Sequence, residues 1–483
     1  MRTGRSGHSR ESIRRGACCC RARSAGPVAT LYHASIEYPF GLRIWKEQYV
    51  TARVLVIGRG GREHAIVWKL ARSAHIGEIL CAPGNPGIDE LAECVQINVT
   101  DLDGIVRLAT DRRVDLVVVG PEDPLAAGLA GILDAAGIPV FGHTAAAARI
   151  ESSKSWSKVL MASTGIPTAR SIVATDPASG RRAIAEIGGG GPVVIKADGL
   201  AAGKGVVVAN DRAEAEAALA SFMSEGAPGK AGTTVVIEER LTGPEVSIML
   251  LTDGQDVRIL APSCDHKRAF DGDLGPNTGG MGVYTPTARI DQATMARIEE
   301  TIVLPAVREM ARRGSPLRGV LYPGLILTSD GPRVIEFNCR FGDPETQVVL
   351  PTTPEDLGEW SLAVAHGSLR HTPQPSSSGA AVGIALASRG YPGPYRSGFP
   401  IHGLETAASD PDVIVFHAGT ARLDRGEIVT AGGRVLTVVG LGPDVVSARA
   451  KAYQAAGEIS FEGCWMRRDI AATESQKPGQ HEG

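Results

Sequence analysis

The segment Val334-Ile335-Glu336-Phe337-Asn338-Cys339-Arg340-Phe341-Gly342-Asp343-Pro344-Glu345 brings a carboxylate, an amide oxygen and a guanidinium close together as Glu336, Asn338 and Arg340. Alternate residues of a strand share a face. Glu336 and Asn338 are therefore expected to point the same way, with Phe337 turned into the core and Arg340 leaving the strand where the backbone bends. Hard oxygen ligands of this kind suit Mg²⁺, which is usually shared with nucleotide phosphates and not caged by protein alone. An ordinary strand with a polar solvent face explains the same residues, so the other motifs must decide.

Glycine-rich stretches supply the rest of a possible phosphate site. A strand at Pro192 to Lys196, a loop at Asp198 to Gly205 and a strand at Val206 to Ala209 surround Gly199-Leu200-Ala201-Ala202-Gly203-Lys204-Gly205. The Walker pattern needs one more residue before its second glycine and a hydroxyl after its lysine, where Gly205 stands here. This loop joins strand to strand. It reads as a hairpin whose amides could donate to phosphates while Lys204 and Lys196 supply charge, or as a mobile surface turn. Glu238, Glu239 and Glu245 end or follow a third strand, Thr234 to Glu238, where they could meet nucleoside donors or face solvent. Asp265-His266-Lys267-Arg268 and Gly275-Pro276-Asn277-Thr278-Gly279-Gly280-Met281-Gly282 suit a loop wrapped around a small polar ligand. A lone histidine among charges, such as His266, is more often structural than catalytic.

The elements that must hold these residues begin near Arg53. Strand Val54 to Ile57, the turn Gly58-Arg59-Gly60-Gly61 and a helix from Glu63 to Ala71 are followed by strands at Ile79 to Ala82, Val114 to Val119 and Val140-Phe141. Strands alternating with helices imply an open parallel α/β sheet. The turn lacks the third glycine of a dinucleotide fingerprint, Glu63 occupying its place. It could still present amides to a phosphate, or serve strand-to-helix geometry alone. The Pro83-Gly84-Asn85 and Gly120-Pro121-Glu122 loops also follow strands, at the sheet edge where such folds bind ligands.

Length sets the scale: 483 residues imply about three domains. A composition of 43% hydrophobic and 21% charged residues is that of a globular protein, and a formal charge of -3 excludes a general nucleic-acid binder. The eight cysteines show no CxxC pair and no disulfide framework, which fits a reducing cytoplasm. No apolar run is long enough to span a bilayer. Through Ala29 the chain carries seven arginines against the single acid Glu11. It reads as an extension without function, a targeting segment or a genuine arm.

Taken in order, the glycine hairpin, strand-end glutamates and Glu-x-Asn strand resemble the ATP-grasp superfamily. Within it, Gly60-Gly61-Arg62-Glu63-His64-Ala65, Lys196-Ala197-Asp198-Gly199, Asp265-His266-Lys267-Arg268, Gly275 to Gly282 and Glu336 to Glu345 are similar to the phosphoribosylamine–glycine ligase family of purine biosynthesis, over residues 53 to 470. The resemblance implies an α/β ATP-grasp fold with an N-terminal open parallel α/β (pre-ATP-grasp) domain and a small C-terminal α/β domain. Expected boundaries are 1–52 for a disordered or targeting extension, 53–153 for the N-terminal domain and 154–375 for the ATP-grasp domain, with a lid at about 170–240. The C-terminal domain would run over 376–470 and a disordered tail over 471–483.

It further implies ATP-dependent joining of glycine to 5-phosphoribosylamine through glycyl phosphate, with Mg²⁺ or Mn²⁺, in a cytoplasmic monomer without nucleic-acid or membrane partners. Carried over residue by residue, Lys154, Lys196, Gly203, Lys204 and Gly205 would face ATP phosphates, and Glu238, Glu239 and Glu245 the adenosine. Glu336 and Asn338 would hold the metal, and Arg340 and Lys204 would act on the transferring phosphoryl group. Gly60, Gly61, Arg62, Glu122, Asp265, Lys267, Asn277, Thr278, Gly279, Gly280 and Asp343 would hold glycine and the ribose phosphate. Arg59 and His143 depart from the asparagine and proline expected there, and Gly324-Leu325-Ile326-Leu327 offers no further metal-binding acid. Rival readings are a ligase for another amine and acid, a nicotinamide oxidoreductase using the first loop, and a nucleotide sensor without catalysis.

Overall fold

The computed structural model describes residues 32–37, 43–48, 51–200, 205–223 and 234–474. It divides into two units, 1–50 and 51–483. In the first, Tyr32–Glu37 and Arg43–Gln48 pair antiparallel. No regular structure was expected there, yet each segment carries β-favouring Ile with Tyr or Trp. An isolated two-stranded pair is only marginally stable.

The second unit opens with a parallel sheet in the order Glu93–Cys94, Ile76–Pro83, Ala52–Gly58, Leu116–Val119, Val140–Phe141. Strand Ala52–Gly58 is central and buried on both faces, so it reads as a continuous apolar run. Helix Gly61–Leu70 follows directly. The glycines of the turn are needed by Glu63: a Cβ at Gly58, where φ is +133°, would lie 2.3 Å from Glu63 Cγ, and one at Gly120 2.3 Å from Glu63 Oε1. Glu63 accepts from the Gly60 amide at 2.6 Å. The third-glycine space of a dinucleotide site is thus filled by a carboxylate, which removes the nicotinamide reading.

Next, four antiparallel strands in the order Val206–Ala209, Val193–Ala197, Val235–Glu239, Ser171–Ala174 form a small sheet. Helices Pro177–Gly188 and Arg212–Met223 cover it, with Ile184, Leu219 and Phe222 in the shared core. Lys196 stands opposite Val206, so the glycine loop closes a strand-to-strand hairpin as expected. A second sheet carries Glu245–Ser247, Gly319–Thr328 and Gly331–Asn338 side by side. This is the α/β ATP-grasp arrangement. Its metal-like strand contains a bulge: Glu336 faces Gly324 while Val334 faces Leu325, leaving Ile335 as the extra residue. Val334 and Phe337 both enter the core although three residues apart. The bulge shifts the alternation between them, and Glu336 and Asn338 come to the other face.

The last sheet crosses the sequence. Cys264–Asp265 and Gly282–Thr285 pair with each other, and Gly282–Thr285 pairs with Ala380–Ser388, which continues to Arg434–Gly442 and Val413–His417. The sheet of the C-terminal strands is completed by Cys264–Asp265 and Gly282–Thr285, which lie before and after the glycine-rich Asn277 to Gly280 loop. Glu474 accepts from Tyr284 Oη at 3.0 Å and Thr287 Oγ1 at 3.2 Å, so the polar tail expected to be free after Ile470 is held at least to Glu474. No helix among the described residues is long and apolar enough to cross a membrane.

Four imidazoles are buried well enough to stay neutral. Burial lowers His64 to about 3 and His143, His266 and His417 to about 4. His143 accepts from the Arg318 amide at 3.0 Å and meets Val320 O at 2.7 Å, tying the end of the parallel sheet to the long strand Gly319–Thr328. Unfolded imidazoles titrate near 6.5, so on acidification the unfolded chain takes up these protons first and stability falls. Each histidine then removes about 1.4 kcal/mol per pH unit between its two pKa values. The raised carboxyls of Asp265 and Glu151 oppose this with fewer groups. Urea unfolding at pH 7.5 and 5.5 is expected to show a loss of several kcal/mol; a flat profile would contradict neutral buried imidazoles.

Candidate active site

Helix Lys154–Thr164 starts at Ser153, whose hydroxyl accepts from the Trp156 amide, and ends at the left-handed Gly165. A lysine in the first turn opposes the helix dipole, so Lys154 is placed there against local preference. Its ammonium donates to Gly199 O at 2.8 Å, on the glycine hairpin. Burial lowers its pKa, with Glu336 acting against the shift.

Lys158, one turn on and on the same helix face, forms a buried triad with Lys196 and Glu238. Both ammonium groups lie 3.1 Å from Glu238 Oε2. Lys158 also donates to Thr168 Oγ1 at 2.9 Å. Burial brings it down to about 8 although Glu238 holds it up. Lys196 donates to Ile335 O at 2.9 Å, the carbonyl at the bulge. One lysine thus links the hairpin sheet to the metal-like strand. Glu238 Oε1 is buried without a partner, leaving one acceptor for an amine or amide donor.

Around Glu336 the charge is one-sided. Burial alone would raise its carboxyl, but Lys267, Lys196, Lys154 and Arg340 together hold it below the ordinary range. Among the described residues no side chain hydrogen-bonds or ion-pairs with it. Among the described residues Asn338 Oδ1 accepts only from Arg340 Nη2, at 3.4 Å. A carboxylate without a partner beside a nearly free amide oxygen fits a divalent cation. No group of three or more His, Cys, Asp or Glu able to hold a metal occurs among the described residues.

Arg340 leaves the strand as expected, but it is held between Glu122 Oε2 at 2.9 Å and Glu151 Oε1 at 3.4 Å. Glu151 also accepts from the Cys339 amide at 2.8 Å. Arg62 pairs with Glu63 and lies 3.7 Å from Glu122. Burial would raise Glu122, yet Arg340 and Arg62 bring it well down. The Gly60-Gly61-Arg62 turn, the Glu122 loop and Arg340 therefore form one charged cluster. Within it, Glu63 has taken the Gly60 amide, and Gly61 lies so close to Gln347 Nε2 that a Cβ would come within 2.7 Å.

A second cluster joins Lys267 to Glu245 at 3.0 Å and to Asp265 at 4.0 Å. Burial raises the Asp265 carboxyl against the pull of Lys267. Thr278 Oγ1 donates to Lys267 O at 2.8 Å and accepts from the Gly280 amide at 2.9 Å, folding the loop onto the Asp265 segment. Asp343 accepts from Gln347 and Arg434, each at 2.7 Å.

The other expected residues are placed as follows. Glu245 pairs with Lys267. Glu239 is taken up by the Arg170 amide at 2.9 Å, closing the sheet edge. Asn277 lies on an exposed strand opposite Arg268. Gly205 is buried next to the hairpin strand, while Gly203 and Lys204 lie outside the described residues. Lys158, Glu151 and Arg434 were not anticipated as site residues; only Lys158 had a signal, its spacing from Lys154.

Comparison with known proteins shows the family. Family models match over 52–151 (phosphoribosylglycinamide synthetase, N domain), 152–346 (its ATP-grasp domain) and 381–473 (its C domain). The phosphoribosylamine–glycine ligase of Streptomyces coelicolor is 49% identical, covering 87% of this chain and 99% of its own length. That of Rhodopirellula baltica is 46% identical, over 86% and 97%. The crystal structure of the Thermotoga maritima phosphoribosylamine–glycine ligase superposes with a TM-score of 0.77 at 35% identity, covering 87% of this chain and all of that one. A biotin carboxylase domain from Hydrogenobacter thermophilus, 18% identical with a TM-score of 0.67 over 86% and 91%, shares the fold alone. The chain is a member of the phosphoribosylglycinamide synthetase family.

Proposed function

We propose that the protein joins glycine to 5-phosphoribosylamine at the expense of ATP, giving glycinamide ribonucleotide, ADP and phosphate, in purine biosynthesis. The observation that carries this reading is the Glu336 carboxylate, without a hydrogen-bond or ion-pair partner among the described residues, set beside Asn338 and Arg340 and under the field of Lys154, Lys196 and Lys267. A site so cationic is built for phosphates.

A carboxylate is a poor acyl donor because its leaving group is oxide. Transfer of the γ-phosphoryl group to a glycine carboxylate oxygen breaks the phosphorus–oxygen bond to ADP and creates an acyl phosphate. The neutral amine of phosphoribosylamine then attacks the acyl carbon, phosphate departs with the former carboxylate oxygen, and the amine loses a proton. Lys154 and Lys196 would neutralise nucleotide phosphates, and Arg340 the group in flight. Asp265 and the Thr278 to Gly280 loop would orient the amino acid and the amine, and Arg62 the ribose phosphate. Glu336 and Asn338 would hold Mg²⁺ or Mn²⁺, which would supply charge neutralisation at the phosphates. The glycine hairpin would exclude water from the acyl phosphate.

Incubation with ATP, glycine and freshly made phosphoribosylamine tests this directly. ADP release that requires both, with matching amide product, is expected; turnover that requires a different acid or amine would overturn it. Lys204→Ala is expected to lower kcat by about tenfold to a hundredfold and raise the KM for ATP. Wild-type kinetics for that variant would reduce the hairpin lysine to scaffold.

A further inference from the structure

The C-terminal strands carry no motif of their own, yet one of them reaches the substrate loop. Arg434 begins strand Arg434–Gly442 directly after Gly432-Gly433. Its pairing with Ala387, next to Leu436 with Leu386, leaves Val435 as a bulge residue, and such a bulge re-aims side chains.

The guanidinium gathers four acceptors. Nη1 donates to Gly279 O at 2.7 Å, Gly280 O at 3.3 Å and Asp343 O at 3.1 Å, and Nη2 to Asp343 Oδ2 at 2.7 Å. Tyr391 completes the grip: its Oη accepts from the Gly279 amide at 3.0 Å. Its ring lies over Gly433, where a Cβ would come within 2.2 Å of it. On the far side Gly280, with φ at +108°, presses against Pro344 so closely that a Cβ would lie 2.4 Å from Pro344 Cδ. Loop and turn are therefore in contact and bolted together from a third element.

We propose that Arg434 is a positioning residue that fixes the Gly279-Gly280 loop against the Asp343 turn, so that the glycine and amine end of the site, and not its nucleotide end, depends on the C-terminal sheet. This rests on the ligase reading above. A fork of donors is required for it: a lysine presents a point charge and cannot serve four acceptors spread over two backbone segments. Among the described residues the polar partners of Arg434 are Gly279, Gly280 and Asp343, and none is on the nucleotide side, which is why the two ends separate.

The test is steady-state kinetics of Arg434→Met, Arg434→Lys and Tyr391→Phe, varying ATP, glycine and phosphoribosylamine separately, with ADP-to-product ratios and thermal unfolding. Arg434→Met is expected to raise the KM for glycine, the amine or both by about tenfold or more, leave the KM for ATP within about twofold, and release more ADP than product. Arg434→Lys should recover part of the loss. Tyr391→Phe should move the same constants less, and these two variants carry the test should Arg434→Met not fold. Equal changes in all three KM values, or a lower Tm with wild-type kinetics, would overturn the inference. A wild-type protein that makes no product would instead overturn the ligase reading.

Discussion

Replacing Glu336 by alanine is expected to abolish metal-dependent ATP turnover, lowering kcat by about a thousandfold or more, because a divalent cation at transferring phosphates supplies several kcal/mol. The fold should survive. Glu336 contributes no hydrogen bond or ion pair among the described residues, and its nearest neighbour across the sheet is Gly324, whose Cβ position lies 3.7 Å from Glu336 Cγ. Unfolding is therefore expected within about 1 kcal/mol of wild type. Metal titration of the purified variant followed by single-turnover ADP formation checks both halves. Wild-type turnover would remove Glu336 from the site, and a collapse of Tm would make it structural.

Arg340→Ala should be nearly as damaging, but through two channels. Loss of a cation aimed at a transferring phosphoryl group costs about 10²- to 10³-fold in kcat. It also strands Glu122 and Glu151, both partners of the guanidinium, and breaking a buried pair by removing one member costs about 3–5 kcal/mol of stability. The two effects can be pulled apart. Adding Glu151→Gln to Arg340→Ala should restore part of the stability and none of the rate. Parallel recovery of both would mean that Arg340 acts only by holding the fold.

Much of this site was readable from residue order because its chemistry is local. A period of two places Glu336 and Asn338 on one face, and the strand-loop-strand spacing around Gly199 distinguishes a hairpin from a strand-to-helix phosphate loop. What stayed hidden depends on distant pairing. The Ile335 bulge, which lets Val334 and Phe337 share the core while Glu336 turns outward, follows from register with Gly324 and Leu325 and leaves no mark in the sequence. Glu239 and Glu245 read as nucleoside ligands by position, and that their carboxylates also meet the Arg170 amide and Lys267 depends on distant pairings that no local pattern announces. The reach of Arg434 to Gly279 and Asp343 left no mark in the residues from 380 onward, because it depends on Gly282–Thr285 sharing a sheet with strands distant in sequence. Even the first fifty residues, arginine-rich and without period, contain a strand pair whose Ile, Tyr and Trp were outweighed by the surrounding composition.

The route of one oxygen atom tests the account most directly. With glycine labelled by ¹⁸O in its carboxylate, activation through glycyl phosphate predicts that each amide formed sends one labelled oxygen into the released phosphate. Product formed with unlabelled phosphate would contradict the mechanism built on Glu336, Asn338 and Arg340.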